Sequence, residues 1–491
     1  MAAADWVVMV LYFLLMVGIG IWSFRMVKGS KDYFVAGGKL PWWLSGASHH
    51  VSGYSAVAFS AYAGLAYTYG FTLYMWWALA ITIGMIVGAH LIAPRWARLR
   101  MKLNIESPLE YLATRYNMPT QQLIAWSGVI LKLFDVGAKW TAIAILLNAF
   151  TGTPLLTGIL ISGGISLLYI TVGGIWADVW NDFAQFIVQL IAALVMFVVV
   201  LTKLGGVGSI FTMWADLPEG NASLFNGPYT AGFFIAYIFI SFFSYNGGTW
   251  NLAQRYIASP TGKEAKKSAL FSGALYLIFP LFMFFPMWAS PIFYPSLDKP
   301  DTVYSMMAQD FLPVGLVGLV LAGLFAATMS MTSGDINAVS AVITRDILPK
   351  ISAKIRTISE NGALTLARTT TLIFTALTLV IGIFSDAFGG VLGLIISWFG
   401  ALVGPVSIPM LLGLLPAFKH SNSPAAITSV IAGLLTFVLF KYGITGVSQA
   451  ISVSAPLLVS LIVFTGMGWL NRKAAVPAEV EQLLAKLKSD N

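Results

Sequence analysis

Long apolar segments separated by short polar loops follow one another along nearly the whole chain. A helix that crosses the hydrocarbon core of a bilayer needs about 20 mainly apolar residues. Segments of this kind lie near 5–24, 41–68, 71–93, 123–149, 153–173, 179–202, 229–252, 268–291, 313–340, 364–385, 387–415, 425–441 and 450–470. The pattern predicts an all-α polytopic membrane protein with about 13 transmembrane helices.

The composition supports a membrane location and excludes several kinds of chemistry. Of 491 residues, 58% are hydrophobic and 10% are charged, whereas a soluble domain carries about 25% charged residues. No polar stretch is long enough for a soluble domain, so residues 1–491 are interpreted as one transmembrane domain. The absence of cysteine excludes disulfides, thiolate metal sites and cysteine nucleophiles.

The basic residues concentrate in alternate loops, which predicts an orientation. With the N-terminus outside, most of the 28 lysines and arginines, including Arg255, fall in cytoplasmic segments, as is usual for membrane proteins. The outer loops hold Lys203, Lys299 and Lys441. We predict a multi-pass protein of the cell's inner (cytoplasmic) membrane, embedded in the lipid bilayer, with a cytoplasmic C-terminal tail at 471–491. The charge of +8 is then a topology signal, and nucleic acid is excluded as a partner.

Two of the predicted spans contain small polar residues that favour a broken helix. One break lies around Ser52, Gly53 and Tyr54, and the other in the stretch SYNGGTWN at 244–251. An unwound backbone survives in hydrocarbon only where protein or a water-filled cavity covers it. The breaks lie five predicted helices apart, which is typical of transporters built from two inverted repeats. The other interpretation is that glycine and serine merely allow close helix packing.

Hydroxyls and a carboxylate are predicted at membrane depth beside these breaks. Ser330 and Ser333 share one helix face, and Asp182 lies near the end of a span. With the main-chain carbonyls of Ser48 and Val51 they form a set of hard oxygen ligands that suits a small hard cation. The other interpretation makes Asp182 a helix cap and lets the serines hydrogen-bond to their own helix.

A second group of charged residues lies on one face of the fourth predicted span. Lys132, Asp135 and Lys139 have i, i+3, i+7 spacing and therefore line one face. One interpretation is an internal ion pair, and the other leaves Lys139 to bind an anionic group of a solute or to couple protonation. Asp335 is a further carboxylate at depth, which helical spacing turns away from Ser330.

Histidine, tyrosine and asparagine beside the breaks are candidates for contact with a solute. Imidazole titrates near neutral pH, so His49 or His50 is a candidate pH sensor of transport. Adjacent helix residues point about 100° apart, so at most one of the two is expected to face a cavity. Tyr245, beside the second break, is a candidate to cap a solute, and Asn246 is grouped with it.

Six stretches resemble, in the same order, the motifs of a known family. GASHHVSGYSAVAFSAYAGLAYTYG is similar to its first core helix, and SPLEYLATRYN to its Pro-Glu-Tyr-Leu…Arg-Tyr signature with the proline shifted by one residue. The others are VGGIWADVWNDFAQ, NLAQRYIASPTGKEAKKS, FAATMSMTSGDIN and FGALVGPVSIPMLLGLL. The family is the sodium/solute symporter family, of the sodium/sugar and sodium/proline type.

The resemblance implies a fold and an activity. It implies a core of two inverted five-helix repeats over 41–415, one extra helix before it at 5–24, and two helices after it at 425–470. It also implies that inward sodium flow is coupled to uptake of a sugar, amino acid, carboxylate, vitamin or inositol. No cofactor is implied apart from sodium as the coupling ion.

The resemblance also implies a cation site. The family's sodium-binding carbonyls fall on Ser48, Val51 and Ala327, and its first hydroxyl falls on Ser330. The position of the second hydroxyl is Met331, whose thioether is a poor ligand for sodium. This departure keeps open a proton-coupled symporter or a uniporter of the same fold.

Some members of the family bind a second sodium ion close to the first. The resemblance places Asp182 and Ser333 at that second site, and the next position there is Gly334. Because the ligand set is thinner than in such members, a proton on Asp182 or His50 is an alternative to sodium.

The solute-binding positions of the family carry different polar residues here. The inner aromatic gate falls on Tyr245, and the polar sugar-binding positions fall on His50, Tyr54 and Ser55. With Lys139 as a possible partner for a carboxylate, the predicted solute is a sugar, an acidic sugar or a monocarboxylate.

The sequence therefore predicts a secondary active transporter that acts by alternating access, and not an enzyme. It is expected to bind a small solute and sodium and to function as a monomer. A transporter-like membrane sensor is the alternative of another class, although only about twenty residues follow the last predicted span, too few for a signalling domain.

Overall fold

The computed structural model describes residues 1–53, 55–385, 403–444 and 449–490, and this part of the chain is helical, with no β-strand. The helices up to the second break are α1 Ala3–Ser23, α2 Ser30–Val35, α3 Trp42–Val51, α4 Ala61–Tyr69, α5 Ala80–Leu91, α6 Ala93–Leu103, α7 Leu112–Arg115, α8 Met118–Thr151, α9 Leu155–Lys203, α10 Ser209–Thr212 and α11 Ala231–Phe243. Those after it are α12 Asn251–Ile257, α13 Gly262–Phe293, α14 Val303–Phe311, α15 Leu316–Ala341, α16 Leu348–Ile351, α17 Ala353–Arg356, α18 Glu360–Ile383, α19 Gly404–Leu412, α20 Ser423–Val438, α21 Gln449–Leu470 and α22 Ala478–Lys486. The all-α prediction is confirmed.

Within the described ranges, eight helical segments are long and apolar enough to cross a bilayer. One of them, α9, has 49 residues, whereas a single crossing needs about 20. It is interrupted at Gly174, whose φ of 51° and ψ of −141° are not helical and strain a residue that has a Cβ atom. Its two runs match the predicted spans 153–173 and 179–202. The count of about 13 stays a prediction, since most of 387–415 lies outside the described residues.

The first predicted break is present. Helix α3 ends at Val51, a 3-10 turn follows at Ala56–Phe59, and α4 then starts. Tyr54 lies outside the described residues. Where a helix stops, the carbonyls of its last turn lose the donors of the next turn. Tyr276 replaces one of these donors, since its hydroxyl donates to the carbonyl of His50 at 2.9 Å.

The second predicted break is also present. Helix α11 runs into a π-turn at Ser244–Gly248, in which Gly247 has a φ of 118°. Trp250 then has a φ of 60°, which is unfavourable for a bulky residue, before α12 starts. The indole N–H of Trp96 donates to the carbonyl of Asn246 at 3.0 Å. Surrounding protein groups therefore satisfy the backbone that this break exposes.

Helices α3, α9, α12 and α15 meet where the two breaks lie. Helix α9 packs on α1, α3, α8 and α15, and α12 contacts α3, α6 and α15. The span Leu316–Ile351, which contains α15, is 83% buried, against 28% for the N-terminal span Ala3–Met26. Helix α15 is therefore central, and any polar residue on it must find its partners inside the protein.

Candidate functional site

Two carboxylates and a guanidinium meet at this junction. Asp178 and Asp182 are four residues apart on α9, and Arg255 projects from α12. Arg255 Nη2 lies 2.5 Å from Asp178 Oδ2 and 3.0 Å from Asp182 Oδ2. All three side chains are fully buried. We call Asp178, Asp182 and Arg255 the acidic cluster.

Serine hydroxyls from the first break and from α15 surround the acidic cluster. Ser48 and Ser52 at the end of α3 both donate to Asp182, Ser52 at 3.2 Å. Ser52 Oγ also lies 3.1 Å from Ser330 Oγ on α15. The structure thus brings the predicted cation ligands Ser48, Asp182 and Ser330 together, although they are far apart in the sequence.

The oxygen atoms of the two carboxylates are not used equally. Asp178 Oδ1 accepts a hydrogen bond from Ser333 at 2.5 Å, and Asp178 Oδ2 accepts one from Arg255. Asp182 Oδ2 is also bonded to Arg255, but the buried Asp182 Oδ1 has no hydrogen-bond partner among the residues that the structure describes. A buried polar atom of this kind needs a bound water or ion to offset its desolvation.

The acidic cluster contains more carboxylates than basic side chains. Among the residues that the structure describes, Asp178 and Asp182 have Arg255 as a basic partner within 4.0 Å and no second one. Two ionised carboxylates and one guanidinium carry a net charge of −1. Leaving a buried charge uncompensated costs several kcal/mol. The cluster is therefore suited to bind one more positive charge.

The main-chain carbonyls predicted for the cation lie at the same junction. Val51 is the last residue of α3, and Ala327 is buried one turn before Ser330 in α15. The carbonyl of Ser48 accepts the N–H of Ser52 at 3.0 Å, which is the last i to i+4 backbone hydrogen bond of α3. Helices α3 and α15, which carry these residues, are in contact.

Sequence reasoning missed Ser52, Asp178 and Arg255 as residues of this site. Ser52 supplies a hydroxyl beside Ser330, whereas Met331, at the expected second-hydroxyl position, is half-buried in the wall of a cavity. The assignment of Arg255 to the cytoplasmic basic residues needs correction, because its side chain is fully buried between two carboxylates. The sequence did indicate that a basic partner was needed, because carboxylates at membrane depth need a nearby cation.

A second set of buried charges connects α8 to α15. Lys132 Nζ lies 3.2 Å from Asp135 and 2.7 Å from Asp335, and Lys139 Nζ lies 2.8 Å from Asp135 and 2.6 Å from Asp335. We call these four residues the balanced cluster, since among the described residues two cations meet two anions. The predicted internal ion pair is present, and Asp335 is the partner that sequence spacing did not supply.

A cavity lies between the balanced cluster and the two breaks. Its wall includes Ser52, Gly53, Ser55, Ala58, Tyr62, Trp77, Asp135, Ala138, Lys139, Ala142, Tyr237, Ser244, Tyr245, Thr249, Leu252 and Met331. The predicted solute or gate residues Ser55, Lys139 and Tyr245 are therefore on its wall. A concave wall that combines aromatic and small apolar residues with a few polar groups is typical of small-molecule sites.

Two other predicted solute residues do not line this cavity. The ring of His50 packs edge-on against the rings of Tyr276 and Phe279. The amide of Asn246 donates to the carbonyls of Gly84, at 3.1 Å, and Phe242, at 2.9 Å. Each side chain is held inside the helix packing, and a solute contact of either residue stays a prediction.

His49 is also held by protein groups. Its Nδ1 lies 2.8 Å from Ser272 Oγ, and its Nε2 lies 2.9 Å from both the carbonyl of Tyr245 and the hydroxyl of Tyr256. His49 thus ties the first break to the second. Neither His49 nor His50 is part of the cavity wall in the described part of the chain.

Known proteins resemble this chain over most of its length. The model of the sodium:solute symporter family matches residues 33–433. The sodium/sialic acid symporter of Aliivibrio fischeri is 26% identical, with 89% of this chain and 89% of the relative covered. The sodium/glucose cotransporter of Vibrio parahaemolyticus is 26% identical, with 89% and 84% covered.

A solved structure has the same fold. The substrate-bound outward-open state of a Na+-coupled sialic acid symporter matches with a TM-score of 0.84 at 21% identity, over 97% of this chain and 99% of that one. The likeness confirms the transporter fold, and the family model covers both helix breaks and the acidic cluster. This chain therefore belongs to the sodium:solute symporter family, as a multi-pass membrane protein that transports a small organic solute together with sodium.

Proposed function

We propose that this symporter imports a small acidic sugar, with sodium bound at the acidic cluster and the sugar bound in the adjacent cavity. One observation carries the proposal: Asp182 Oδ1 is a buried, unpartnered oxygen in a cluster of net negative charge. A carboxylate surrounded by hydroxyls and carbonyls is a hard-oxygen environment, which favours a hard cation such as sodium.

The sodium ligands that we propose come from three helices. They are the carbonyls of Ser48, Val51 and Ala327, the hydroxyls of Ser330 and Ser333, and the carboxylate of Asp182. To these we add the hydroxyl of Ser52, because it contacts both Asp182 and Ser330. It supplies the side-chain oxygen that Met331 lacks.

The cavity has the chemistry that an acidic sugar requires. Tyr62, Trp77 and Tyr245 offer aromatic faces, on which the apolar faces of a sugar ring pack. Lys139 offers an ammonium group to a solute carboxylate. When the solute carboxylate takes the place of Asp135 beside Lys139, Asp135 still has Lys132 as a basic partner. The relatives named for sialic acid, a sugar that bears a carboxylate, agree with this choice.

Ser52 offers a direct route for coupling the ion to the solute. Its side chain lies on the cavity wall and also bonds to Asp182 and Ser330. A sodium ion that orders this hydroxyl orders part of the solute site at the same time. The resulting coupling is reciprocal and typically amounts to about 1–3 kcal/mol.

Tyr245 is the proposed gate. Its hydroxyl donates to the carbonyl of Gly53 at 3.4 Å, which joins the two helix breaks at the cavity. This hydrogen bond is long and therefore weak, so it breaks easily. Opening it lets the two broken helices separate during the transport cycle.

The arrangement of the chain in the membrane is also part of the proposal. We propose an N-terminus outside and a C-terminus in the cytoplasm, on the distribution of lysine and arginine. We also propose that the protein functions as a monomer.

Uptake into proteoliposomes tests this function. Sialic acid, glucose and lactate are offered in turn, with a gradient of sodium, potassium or pH as the only driving force. We expect sodium-driven uptake of sialic acid that exceeds uptake of glucose and lactate. Uptake driven equally well by a pH gradient without sodium would contradict the sodium site, and equal uptake of glucose would contradict the acidic sugar.

A pair of variants tests the proposed carboxylate contact. Lys139→Arg keeps the positive charge and is expected to retain sialic acid uptake within about tenfold, whereas Lys139→Met is expected to raise the half-saturation concentration for sialic acid at least about tenfold, the cost of one charged hydrogen bond. The same concentration in both variants would show that Lys139 does not bind the solute.

A further inference from the structure

We infer that His49 is a positioning residue of this transporter: its ring holds the main chain of Tyr245 in place, so that the tyrosine ring closes the cavity at a fixed point. The inference rests on the proposed role of Tyr245 as the gate and names the group that supports it.

His49 is fully buried in the last turn of α3, where both helix breaks meet. Its Nε2 lies 2.9 Å from the carbonyl oxygen of Tyr245, in the turn of the second break, and 2.9 Å from the hydroxyl of Tyr256, in α12. Its Nδ1 lies 2.8 Å from Ser272 Oγ, in α13. One imidazole thus joins α3 to both sides of the second break and to α13.

The contact with the carbonyl determines which ring nitrogen carries a proton. A carbonyl oxygen only accepts hydrogen bonds, whereas a hydroxyl can donate or accept. Nε2 therefore carries a proton and donates it to Tyr245, since a bare nitrogen would place two lone pairs 2.9 Å apart. The hydroxyls of Ser272 and Tyr256 can rotate to suit this arrangement, and that of Tyr256 has Met85 Sδ as an acceptor at 4.0 Å. The hydrogen bond from His49 to the main chain of Tyr245 is thus the one that cannot be rearranged.

Helix α13 supports the same tyrosine from a second direction. Ser272, which contacts His49, and Tyr276 lie one turn apart on this helix. The ring of Tyr276 packs edge-on against the ring of Tyr245, with 5.2 Å between the ring centroids. Helix α13 therefore supports the ring of Tyr245 directly and its main chain through His49.

The position of the gate ring depends on how firmly its own main chain is held. The hydrogen bond from Tyr245 to the carbonyl of Gly53 is long, at 3.4 Å, and a bond of this length restrains the ring only weakly. A Cβ atom at position 53 would lie 2.8 Å from Tyr245 Cε1, so the ring lies directly against the main chain of the first break. A ring this close to its neighbour closes the cavity only if the backbone that carries it stays in place.

Two substitutions of His49 separate the roles of its two ring nitrogens. The amide nitrogen of glutamine is as many bonds from the backbone as Nε2, and that of asparagine is as many bonds from it as Nδ1. His49→Gln can therefore still donate to Tyr245, whereas His49→Asn can reach only Ser272. In sodium-driven uptake of sialic acid into proteoliposomes, we expect the half-saturation concentration to rise about tenfold in His49→Asn, the cost of one lost hydrogen bond, and less than about threefold in His49→Gln.

Two controls accompany this pair. Ser272→Ala removes the contact at Nδ1 alone and is expected to change the half-saturation concentration less than about threefold. Equilibrium binding of radioactive sodium to each purified full-length variant, without solute, is expected to match the wild type, since the hydrogen bonds of His49 go to groups outside the acidic cluster.

A second readout does not depend on the identity of the solute. The chain contains no cysteine, so Ala58→Cys on the cavity wall provides a single thiol. The rate at which a water-soluble thiol reagent modifies this cysteine measures how open the gate is. In the Ala58→Cys background, His49→Asn is expected to raise the rate about tenfold, and His49→Gln is expected to keep it within about threefold.

The possible failures are distinguishable. Equal effects of His49→Asn and His49→Gln would overturn the inference, because a merely structural role does not distinguish the two nitrogens. If His49→Asn does not fold, His49→Leu, which makes neither hydrogen bond, takes its place in the same comparison. As large an effect of Ser272→Ala as of His49→Asn would also overturn the inference. If the wild type takes up no sialic acid, the proposed solute is wrong, and modification of Ala58→Cys still decides the role of His49.

Discussion

The acidic cluster and the balanced cluster are built from the same kinds of groups but differ in charge. The balanced cluster holds two lysines and two aspartates, and each lysine contacts both aspartates. The acidic cluster holds two aspartates and one arginine, and one oxygen of Asp182 has no partner. Both lie inside the bundle, so water screens neither of them.

The difference separates the tying of helices from the binding of a cation, and Lys139 of the balanced cluster also lies on the cavity wall. A buried ion network whose charges cancel among its own side chains ties helices together and needs nothing from outside. A buried network that lacks one positive charge is stable only when a cation is present. Binding of that cation is then linked to the stability of the conformation that closes around it.

The largest effect that the comparison predicts is on stability. Lys132→Met leaves Asp335 and Asp135 with one cation between them, and breaking a buried pair in this way costs about 3–5 kcal/mol. We expect this loss in denaturant unfolding of the purified protein, with and without sodium alike. Lys132→Met/Asp335→Asn, in which the charges cancel again, should recover most of it. A loss below 1 kcal/mol in the single variant would mean that the balanced cluster holds the helices only weakly.

The next effect concerns the ion. Asp182→Asn removes the unpartnered carboxylate oxygen and is expected to raise the half-saturation concentration of sodium about 100-fold, or about 2.7 kcal/mol. The measurement is sodium-dependent sialic acid uptake into proteoliposomes. Asp335→Asn is the matched control in the other cluster, and sodium activation of its folded fraction should be normal. Wild-type sodium dependence in Asp182→Asn would remove this carboxylate from the mechanism.

A smaller effect is expected where the ion site and the cavity share a residue. Ser52→Ala should weaken the half-saturation constants for sodium and for sialic acid by a similar factor of about 10, since coupling between two ligands is reciprocal. Ser55→Ala, on the cavity wall but outside the hydrogen bonds of the acidic cluster, should change only the constant for sialic acid. If Ser52→Ala changes one constant and spares the other, this hydroxyl does not couple them.

The smallest effect is expected at Met331. Because Met331 lines the cavity and Ser52 already supplies the hydroxyl beside Asp182 and Ser330, Met331→Ser should change the sodium constant by less than about twofold, or about 0.4 kcal/mol. Sodium-dependent uptake measures this directly. A tenfold gain in sodium affinity would instead show that a hydroxyl at this position reaches the ion.

The sequence predicted the elements of this fold better than the partners across it. Both helix breaks were predictable, because glycine, serine and asparagine in a long apolar segment weaken a helix locally. Asp182 and Ser330 were predictable as polar residues at depth. These predictions depend only on a residue and its neighbours in the sequence, because helix breaking and the hydrophobicity of a segment are local properties.

The partners of these residues could not be predicted in the same way. Arg255 lies beside a loop in the sequence and was interpreted as part of the topology signal, yet α12 carries it back into the bundle to Asp178. Asp335 is about two hundred residues from Lys132, and no helical spacing connects the two. His50 was assigned by its position in a motif, which does not specify the direction in which a side chain packs.

The interruption of α9 has a consequence for where the chemistry lies. Gly174 redirects the chain just before Asp178 and Asp182, and a Cβ atom there would lie 2.4 Å from the carbonyl oxygen of Tyr33. A bulkier residue would push the following helix aside and carry both acids with it. The placement of Asp178 and Asp182 thus depends on a glycine outside the acidic cluster, at a position where a hydrogen atom takes the place of a side chain.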